Sequence, residues 1–434
     1  MVARTIFALS SGQLPAAIGV VRISGPQAGH AVQALLAGRR LPEPRRAVLR
    51  RLVDPRDGAE LDSALVLWFP GPDSATGEDC AELHLHGGRA VASAVGSALS
   101  ALDVVPAEPG EFTRRAFANG RLDLAQVEGL ADVLAAETEL QRRSAQAMAG
   151  GALSRAAQSW RTQLLNLSAQ VEASLDFADE ADVGGEGDGL PAGFAPGCRA
   201  LVDSLREWLD RPRAEPLREG FRVVLAGPPN AGKSTLFNAL VEYEAAIISE
   251  LPGTTRDVLV STVALGGVPF AFIDTAGLRD EGTDPIEAIG IARARAEAER
   301  ADLVLWLGPQ GVGPTTRPLL EIAAQCDSTD HVTKTADALR LSARTGEGLA
   351  DLREALIGAA RAALPLPGAA ALNQRQARCV AAAHDALIAA EDQRDGLLAA
   401  EHLRLARLAF DALIGRTDTE AMLDALFGRF CIGK

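Results

Sequence analysis

Residues 227–234 read Gly-Pro-Pro-Asn-Ala-Gly-Lys-Ser, which fits the pattern G-x-x-x-x-G-K-[ST]. The chemistry this run can do is phosphate binding. Backbone N–H groups and the start of a following helix face phosphate oxygens. The Lys233 ammonium reaches β- and γ-phosphates, and the Ser234 hydroxyl is a ligand for Mg²⁺. The pattern carries weight only between a strand and a helix. Before it, Phe221-Arg222-Val223-Val224-Leu225-Ala226 is apolar and β-prone, and after it Thr235-Leu236-Phe237-Asn238-Ala239-Leu240 suits a helix.

Further segments follow in a telling order. Gly253-Thr254-Thr255-Arg256-Asp257 offers hydroxyls for Mg²⁺ and a γ-phosphate. Asp274-Thr275-Ala276-Gly277 ends a β-prone run, so Asp274 is placed to hold Mg²⁺ through water and the Gly277 N–H to sense the γ-phosphate. Ser342-Ala343-Arg344 precedes a Thr-Gly-Glu-Gly turn and is placed to meet a guanine base. Each segment alone is weak; together, in this order, they indicate a GTPase. The base-reading segment is off-pattern. Where Asn-Lys-x-Asp is usual, the chain offers Thr333-Lys334-Thr335-Ala336-Asp337, and Asp337 is the expected acceptor for the guanine N1–H and exocyclic amine. Leu278 stands where many GTPases orient water with glutamine. Glu287 is a candidate base, with a cation filling the arginine-finger role.

These segments need a scaffold. The chain has 434 residues, 47% of them hydrophobic, and a net charge of −14. The length suits several domains, and the charge argues against a wholly basic nucleic-acid coat. Local clusters such as Arg39-Arg40, Arg45-Arg46, Arg50-Arg51 and Arg56 read best as solvated surface. The five cysteines form no C-x-x-C pair, so neither zinc nor a disulfide framework is indicated, and a reducing cytoplasm fits. His84 and His86 alternate on a strand and read as structural. No long apolar stretch predicts a membrane span.

The predicted fold class is multidomain α/β. Residues 1–118 alternate strand-like runs, such as 17–23 and 63–69, with turns and a helix over 91–102, giving an α+β domain. Residues 119–218 and 364–434 are rich in Ala, Leu and charged residues and form a discontinuous helical domain. Gly150-Gly151 breaks it, a glycine-rich loop runs from 184 to 197, a further helix lies near 196–210, and Thr417–Glu420 is a capping box for a last helix. Residues 219–363 form an inserted Ras-like phosphate-loop domain with a mostly parallel sheet.

The chain resembles the MnmE (TrmE) family of tRNA-modification GTPases over nearly its whole length. The likeness includes Arg22-Ile23-Ser24-Gly25, Trp68-Phe69-Pro70-Gly71-Pro72, Thr76-Gly77-Glu78-Asp79 and His86-Gly87-Gly88. It continues through 109–117, Leu122-Asp123-Leu124-Ala125-Gln126, the phosphate loop, Asp274–Arg279, 341–348 and the terminal Phe430-Cys431-Ile432-Gly433-Lys434. The resemblance implies a cytoplasmic homodimer joined through folate-binding N-terminal domains. It implies a partner, the FAD protein MnmG, in a heterotetramer or larger complex, with FAD entering only through that partner. Its tRNA substrate would receive aminomethyl or carboxymethylaminomethyl groups at C5 of the wobble uridine. The carbon would come from a tetrahydrofolate derivative (5-formyl- or 5,10-methylene-tetrahydrofolate).

By position, the resemblance implies a GTP site of Asn230, Ala231, Gly232, Lys233, Ser234 and Thr235. To these it adds Ser249, Glu250, Leu251, Pro252, Gly253, Thr254 and Thr255, then Asp274, Thr275, Ala276, Gly277, Asp337, Ser342, Ala343 and Arg344. Ser234 and Thr255 match Mg²⁺ ligands; Asn230, Ser249, Leu251 and Thr254 match the K⁺ loop; Glu287 matches a water-positioning glutamate. Arg22, Glu82, Arg121 and Lys434 match folate contacts, with arginine at 121 where the family commonly has lysine. Cys431 is a candidate catalytic thiol by its place in the terminal signature, although a lone cysteine on an apolar segment packs equally well as a small hydrophobe. An assembly or signalling GTPase of the ribosome-biogenesis type, without small-molecule chemistry, is the alternative reading. A folate aminomethyl-transfer enzyme without a tRNA role is a third.

Overall fold

A computed structural model describes residues 4–176, 190–242, 259–274, 296–314, 318–328, 334–335, 338–416, 420–428 and 430–433. The chain divides into two compact units, residues 1–131 with 411–434, and residues 132–410.

The first unit is built on six strands: β1 (Ile6–Leu9), β2 (Ile18–Ser24), β3 (Val48–Val53), β4 (Glu60–Phe69), β5 (Cys80–His86) and β6 (Val105–Pro106), in the order β3-β4-β5-β2-β1-β6. All pairings are antiparallel except β1 with β6. Alternation decides the faces. Val21, Ile23, Leu83, Leu85 and Val66 point to one side and are buried there, while Arg22, Glu82 and His84 project from the other. Helix α1 (Ala28–Leu35) covers the buried side with Ala28, Ala31, Val32 and Leu35, the i, i+3, i+4, i+7 stripe that one helical face requires. Truncating a wholly buried leucine such as Leu35 in this layer costs about 2–5 kcal/mol. Helix α2 (Arg89–Ser100) joins the same core through Val95, Ala98 and Leu99.

Helix α3 (Glu111–Ala118) and α4 (Leu124–Ala135) follow. The last helix, Glu420–Phe427, packs Phe427 with Phe430 and Val127; the capping residues expected at 417–419 lie outside the described residues. The tail then runs back along this unit. Ile432 bridges Pro109, and the Ser10 hydroxyl donates to the Gly433 carbonyl at 3.0 Å. Gly433 has φ +98, and a Cβ there would stand 2.5 Å from the Leu9 carbonyl oxygen, so only glycine fits.

The second unit opens with helices α5 (Glu139–Ala149), α6 (Ala152–Asp176), α7 (Phe194–Leu209) and α8 (Glu215–Glu219). Thr138 caps α5, with Gln141 answering in a capping box. The break at Gly150-Gly151 falls where the sequence places it, with Gly151 at φ +78. Leu153, Ala157, Trp160, Leu164, Leu167 and Val171 recur every three or four residues on α6 and form its buried seam. Trp160 stacks on Phe410, meets Trp208 edge-on, and donates to the Ser204 hydroxyl at 2.9 Å. Gly197 is not loop: it lies inside α7. A Cβ there would meet the Leu167 side chain at 2.5 Å, so the missing side chain lets α7 approach α6.

The sheet of this unit contains β7 (Phe221–Ala226), β8 (Leu259–Leu265), β9 (Val268–Asp274), β10 (Leu303–Trp306), β11 (Leu319–Ala323) and β12 (Leu339–Arg340). Its order is β12-β11-β10-β7-β9-β8, parallel throughout except for β8. Every residue of β9, paired on both edges by β7 and β8, is buried. Helices α9 (Lys233–Glu242) and α10 (Leu349–Ala363) contribute Leu236, Leu240, Leu352 and Leu356 to the core. Helices α11 (Gln374–Glu391) and α12 (Gly396–Leu413) complete the unit's helical part, with α11 packed on α7. The multidomain α/β class, with an α+β first domain and a mostly parallel nucleotide-type sheet, is the architecture observed.

Candidate functional site

Strand β7 lies between β9 and β10, so the chain's connections diverge to opposite sides beyond its carboxyl end. Open α/β sheets place ligands at such a switch point, and residues 227–232 occupy it. Three of these residues carry positive φ: Gly227 (+153), Asn230 (+60) and Gly232 (+87). That winding turns successive N–H groups inward and delivers the chain into α9. Gly227 suits this position by its φ of +153, and a Cβ there would crowd the Gly308 nitrogen at 3.1 Å. Asn230 is the non-glycine residue that best tolerates a left-handed conformation.

Lys233, only 7% exposed, donates through Nζ to the carbonyls of Gly227 at 3.0 Å and Pro228 at 2.8 Å, so its ammonium lies across the loop. Ser234 Oγ donates to Asp274 Oδ2 at 2.7 Å, and Asp274 is 1% exposed. Two oxygens from α9 and β9 thus meet beside the loop, the hard donor set that Mg²⁺ prefers. Ala231 and Thr235 flank these groups in sequence.

The turn after β11 reaches the phosphate loop through Gln325, whose Nε2 donates to the Asn230 carbonyl at 3.1 Å, and the turn after β12 packs beside it. Ser342 is wholly buried and its Oγ accepts from the Thr345 N–H at 3.1 Å; Ala343 and Arg344 follow it toward solvent. The carboxylate of Asp327, four residues beyond the end of β11, lies beside the Ser342 hydroxyl. This holds Asp327 below the usual carboxylate range, with the Arg344 charge adding to the effect. The sequence reading overlooked Asp327. Ala324-Gln325-Cys326-Asp327 has the spacing of Asn-Lys-x-Asp but lacks both asparagine and lysine. The available signal was an acid four residues past a β-prone run. Lys334, by contrast, is a buried ammonium that donates to the Trp306 carbonyl at 2.8 Å and to Glu321 at 2.5 Å. Asp337 lies outside the described residues, as do Ser249, Glu250, Leu251, Pro252, Gly253, Thr254, Thr255, Thr275, Ala276, Gly277 and Glu287.

In the first unit, Arg22 and Glu82 are directly opposed on β2 and β5. Arg22 Nε and Nη2 both donate to Glu82 Oε1, at 3.1 and 2.9 Å, and His84 Nε2 stands 3.2 Å from Oε2. The Phe112 ring lies 5.8 Å from the guanidinium. Burial pushes the Glu82 carboxyl up, but hydrogen bonds from Arg22 and His84 overcome this and hold it below its ordinary value. His84 therefore serves as a carboxylate partner. Arg121 pairs instead with Asp73 at 3.5 Å, near the surface. Cys431 is exposed, one residue from the Pro109–Ile432 bridge, and Lys434 lies outside the described residues. Among the described residues, no group of His, Cys, Asp and Glu forms a metal cluster, and no helix is long and apolar enough to cross a membrane.

A glycine-rich loop at a parallel-sheet switch point, a lysine over it, and a Ser–Asp oxygen pair beside it define a phosphate-loop nucleotide-binding protein. The particular lineage follows from comparison. A model of the GTP-binding protein TrmE N-terminus matches residues 5–121, and a model of the MnmE helical domain matches 124–431. The "tRNA modification GTPase MnmE" of Novosphingobium aromaticivorans is 66% identical over 437 residues, covering 99% of both chains. That of Erythrobacter litoralis is 58% identical over 431 residues, covering 99% of this chain and all of the relative. The chain belongs to the MnmE family of GTPases. Among solved structures, the G domain of the T. maritima FeoB iron transporter is 26% identical, with a TM-score of 0.23, over 32% of this chain and 98% of that one.

Proposed function

We propose that this chain is a K⁺-dependent GTP-hydrolysing enzyme of tRNA modification. With an FAD-containing partner of the MnmG type, it forms aminomethyl or carboxymethylaminomethyl groups at C5 of the wobble uridine of certain tRNAs, using a folate one-carbon donor. The observation that carries the GTPase part is the Ser234–Asp274 pair beside the phosphate loop; family membership supports the tRNA part.

The residues divide the work. Loop N–H groups and Lys233 bind the β- and γ-phosphates. Ser234 would hold Mg²⁺ directly and Asp274 through water, while Thr255 is the proposed second hydroxyl. Mg²⁺ supplies charge that stabilises the phosphoryl oxygens during transfer. Asn230, with the backbone of Ser249, Leu251 and Thr254, would hold K⁺, and its left-handed backbone fits a side chain turned out of the loop. K⁺ supplies positive charge in the place of an arginine finger. Leu278 cannot orient water, and Glu287 is proposed for that task. We assign base reading to Asp327, whose ionised carboxylate accepts from the guanine N1–H and exocyclic amine while Ser342 orients it.

Folate is assigned to Arg22, Glu82, Arg121 and Lys434, with arginine suited to the anionic glutamate tail and Glu82 to the pterin donors. Cys431 is the proposed thiol of that site. The working division is 1–118 for folate binding and homodimerisation, 119–218 with 364–434 for the helical domain, and 219–363 for GTP hydrolysis, in the cytoplasm. The test is nucleoside analysis of tRNA from a deletion strain, paired with GTP hydrolysis by the pure protein in K⁺ and in Na⁺. Loss of the wobble-uridine modification and a much slower rate in Na⁺ are expected; unchanged nucleosides, or equal rates in both salts, would overturn the reading.

A further inference from the structure

We propose that Gln325 is a positioning residue that fixes the shape of the phosphate loop by holding the Asn230 carbonyl, so that the base-reading turn and the phosphate loop act as one nucleotide clamp. This rests on the nucleotide-binding reading above.

Gln325 sits two residues past β11 with φ +58. Few residues other than glycine adopt this conformation, and glutamine lacks the short side chain by which asparagine or aspartate eases it. Such a backbone persists where its surroundings over-determine it. Here the turn is held at two points: the Cys326 N–H donates to the Leu341 carbonyl at 3.2 Å, and the Ser328 N–H donates to the Gln325 carbonyl at 2.9 Å.

The conformation sends the Gln325 side chain toward the phosphate loop rather than along its own strand. Its Nε2 donates to the Asn230 carbonyl at 3.1 Å. Asn230 is itself left-handed at φ +60, so one hydrogen bond joins two strained residues from different loops. The same amide lies over Gly232, where a Cβ would be 3.2 Å from Nε2. The glycine is therefore needed for its φ of +87, and the space it leaves lets the amide lie close over the loop.

The consequence is chemical. A carbonyl that turned inward at position 230 would set an acceptor against phosphate oxygens and turn a neighbouring N–H away. Holding that carbonyl outward keeps the N–H groups of the loop aimed at the phosphates. The usual segment would place a lysine at position 325; here the donor is a neutral amide, and charged donors make the stronger bonds. Position 324 is alanine, with no polar group to share the task. Among the described residues, the clamp is made by this one side-chain amide.

The test uses the full chain and GDP carrying a fluorescent ribose substituent, with release followed by stopped flow. Gln325→Ala and the near-isosteric Gln325→Glu, which lacks a donor, should each release GDP about three- to tenfold faster, the effect of one lost hydrogen bond. Their KM for GTP should rise while kcat changes little. Gln325→Lys, which restores a donor, should release GDP at the native rate or more slowly. A donor-independent structural role would not give this pattern, and an unchanged thermal midpoint confirms intact folding. Native release rates in Ala and Glu variants would overturn the proposal, as would fast release in the Lys variant. Failure of the native chain to bind GDP at all would instead defeat the nucleotide-site reading.

Discussion

Arg22 and Glu82 face each other across β2 and β5, joined by two hydrogen bonds from one guanidinium to a single carboxylate oxygen. The other oxygen stands beside His84. A cross-strand pair of opposite charge stabilises a sheet, and this one also keeps an ionised carboxylate on the open face of the first unit.

The Glu82 carboxyl is held below its ordinary range because those hydrogen bonds outweigh the burial that would raise it. A depressed carboxylate pKa contributes stability above the unfolded value and loses it as pH falls through the folded value. Glu82→Gln should therefore cost about 1 kcal/mol at neutral pH. The difference in thermal midpoint from the native chain should shrink below about pH 4, where the unfolded carboxylate protonates. Paired melts from pH 7 downward check this; a difference that grows on acidification would show that the carboxylate is not held ionised.

Ser234 and Asp274 bring their oxygens within 2.7 Å at the mouth of the phosphate loop. Ser234→Ala removes one of the two and should lower Mg²⁺-dependent GTP hydrolysis by about a hundredfold, the equivalent of about 3 kcal/mol. The Asp274 carboxylate would lose one hydrogen-bond donor, yet the neighbouring β7–β9 pairing does not involve the serine side chain. Far-ultraviolet circular dichroism should be unchanged while turnover falls.

The phosphate loop was legible because its glycines, lysine and serine are needed in one short run, and its flanking strand and helix are local too. The interruption at Gly150-Gly151 was legible for the same reason: consecutive glycines break a helical pattern wherever they fall. Gly197 misled because its role depends on Leu167, thirty residues away in sequence, which fills the space a side chain would occupy. The tail shows the same limit. The pattern of residues 430–434 indicates a signature, but the Ser10 and Leu9 contacts that make Gly433 obligatory are long-range. In the turn after β11, Gln325 and Asp327 were hidden because neither the asparagine nor the lysine of the usual motif is present, and only the Gln325–Asn230 hydrogen bond and the Ser342 hydroxyl beside Asp327 bring them forward.

The cysteines separate by environment. Cys198 is wholly buried, and burial, with the Glu391 charge adding to it, pushes its thiol up to about 12. Cys80 is buried among Ser24 and Thr76, whereas Cys431 is exposed. The thiolate is the reactive form. An alkylating reagent at pH 8 should therefore label Cys431 rapidly and leave Cys80 and Cys198 unmodified until the chain is unfolded, as peptide mass spectrometry would record. Early labelling of Cys198 would show that α7 opens far more readily than its packing indicates.

The carboxylate of Asp327 makes a prediction that distinguishes it from Asp337. A carboxylate accepts two hydrogen bonds from the guanine N1–H and exocyclic amine. An amide in its place turns a donor toward the base and faces the guanine amine with a hydrogen. Xanthine carries an oxygen where guanine carries that amine, so it fits the amide. Asp327→Asn should lower GTP affinity by at least about a hundredfold, because the guanine amine is then met by a donor instead of an acceptor, and should raise xanthosine triphosphate affinity at the same time. Asp337→Asn should leave both affinities nearly unchanged. The measurement is a competition titration of the two nucleotides against fluorescent GDP for each variant. A switch in base preference at position 337 rather than 327 would return the base-reading role to the acid that the sequence alone suggests. A switch at 327 would make the Asp327 carboxylate, held ionised beside the Ser342 hydroxyl, the basis of guanine selection in this chain.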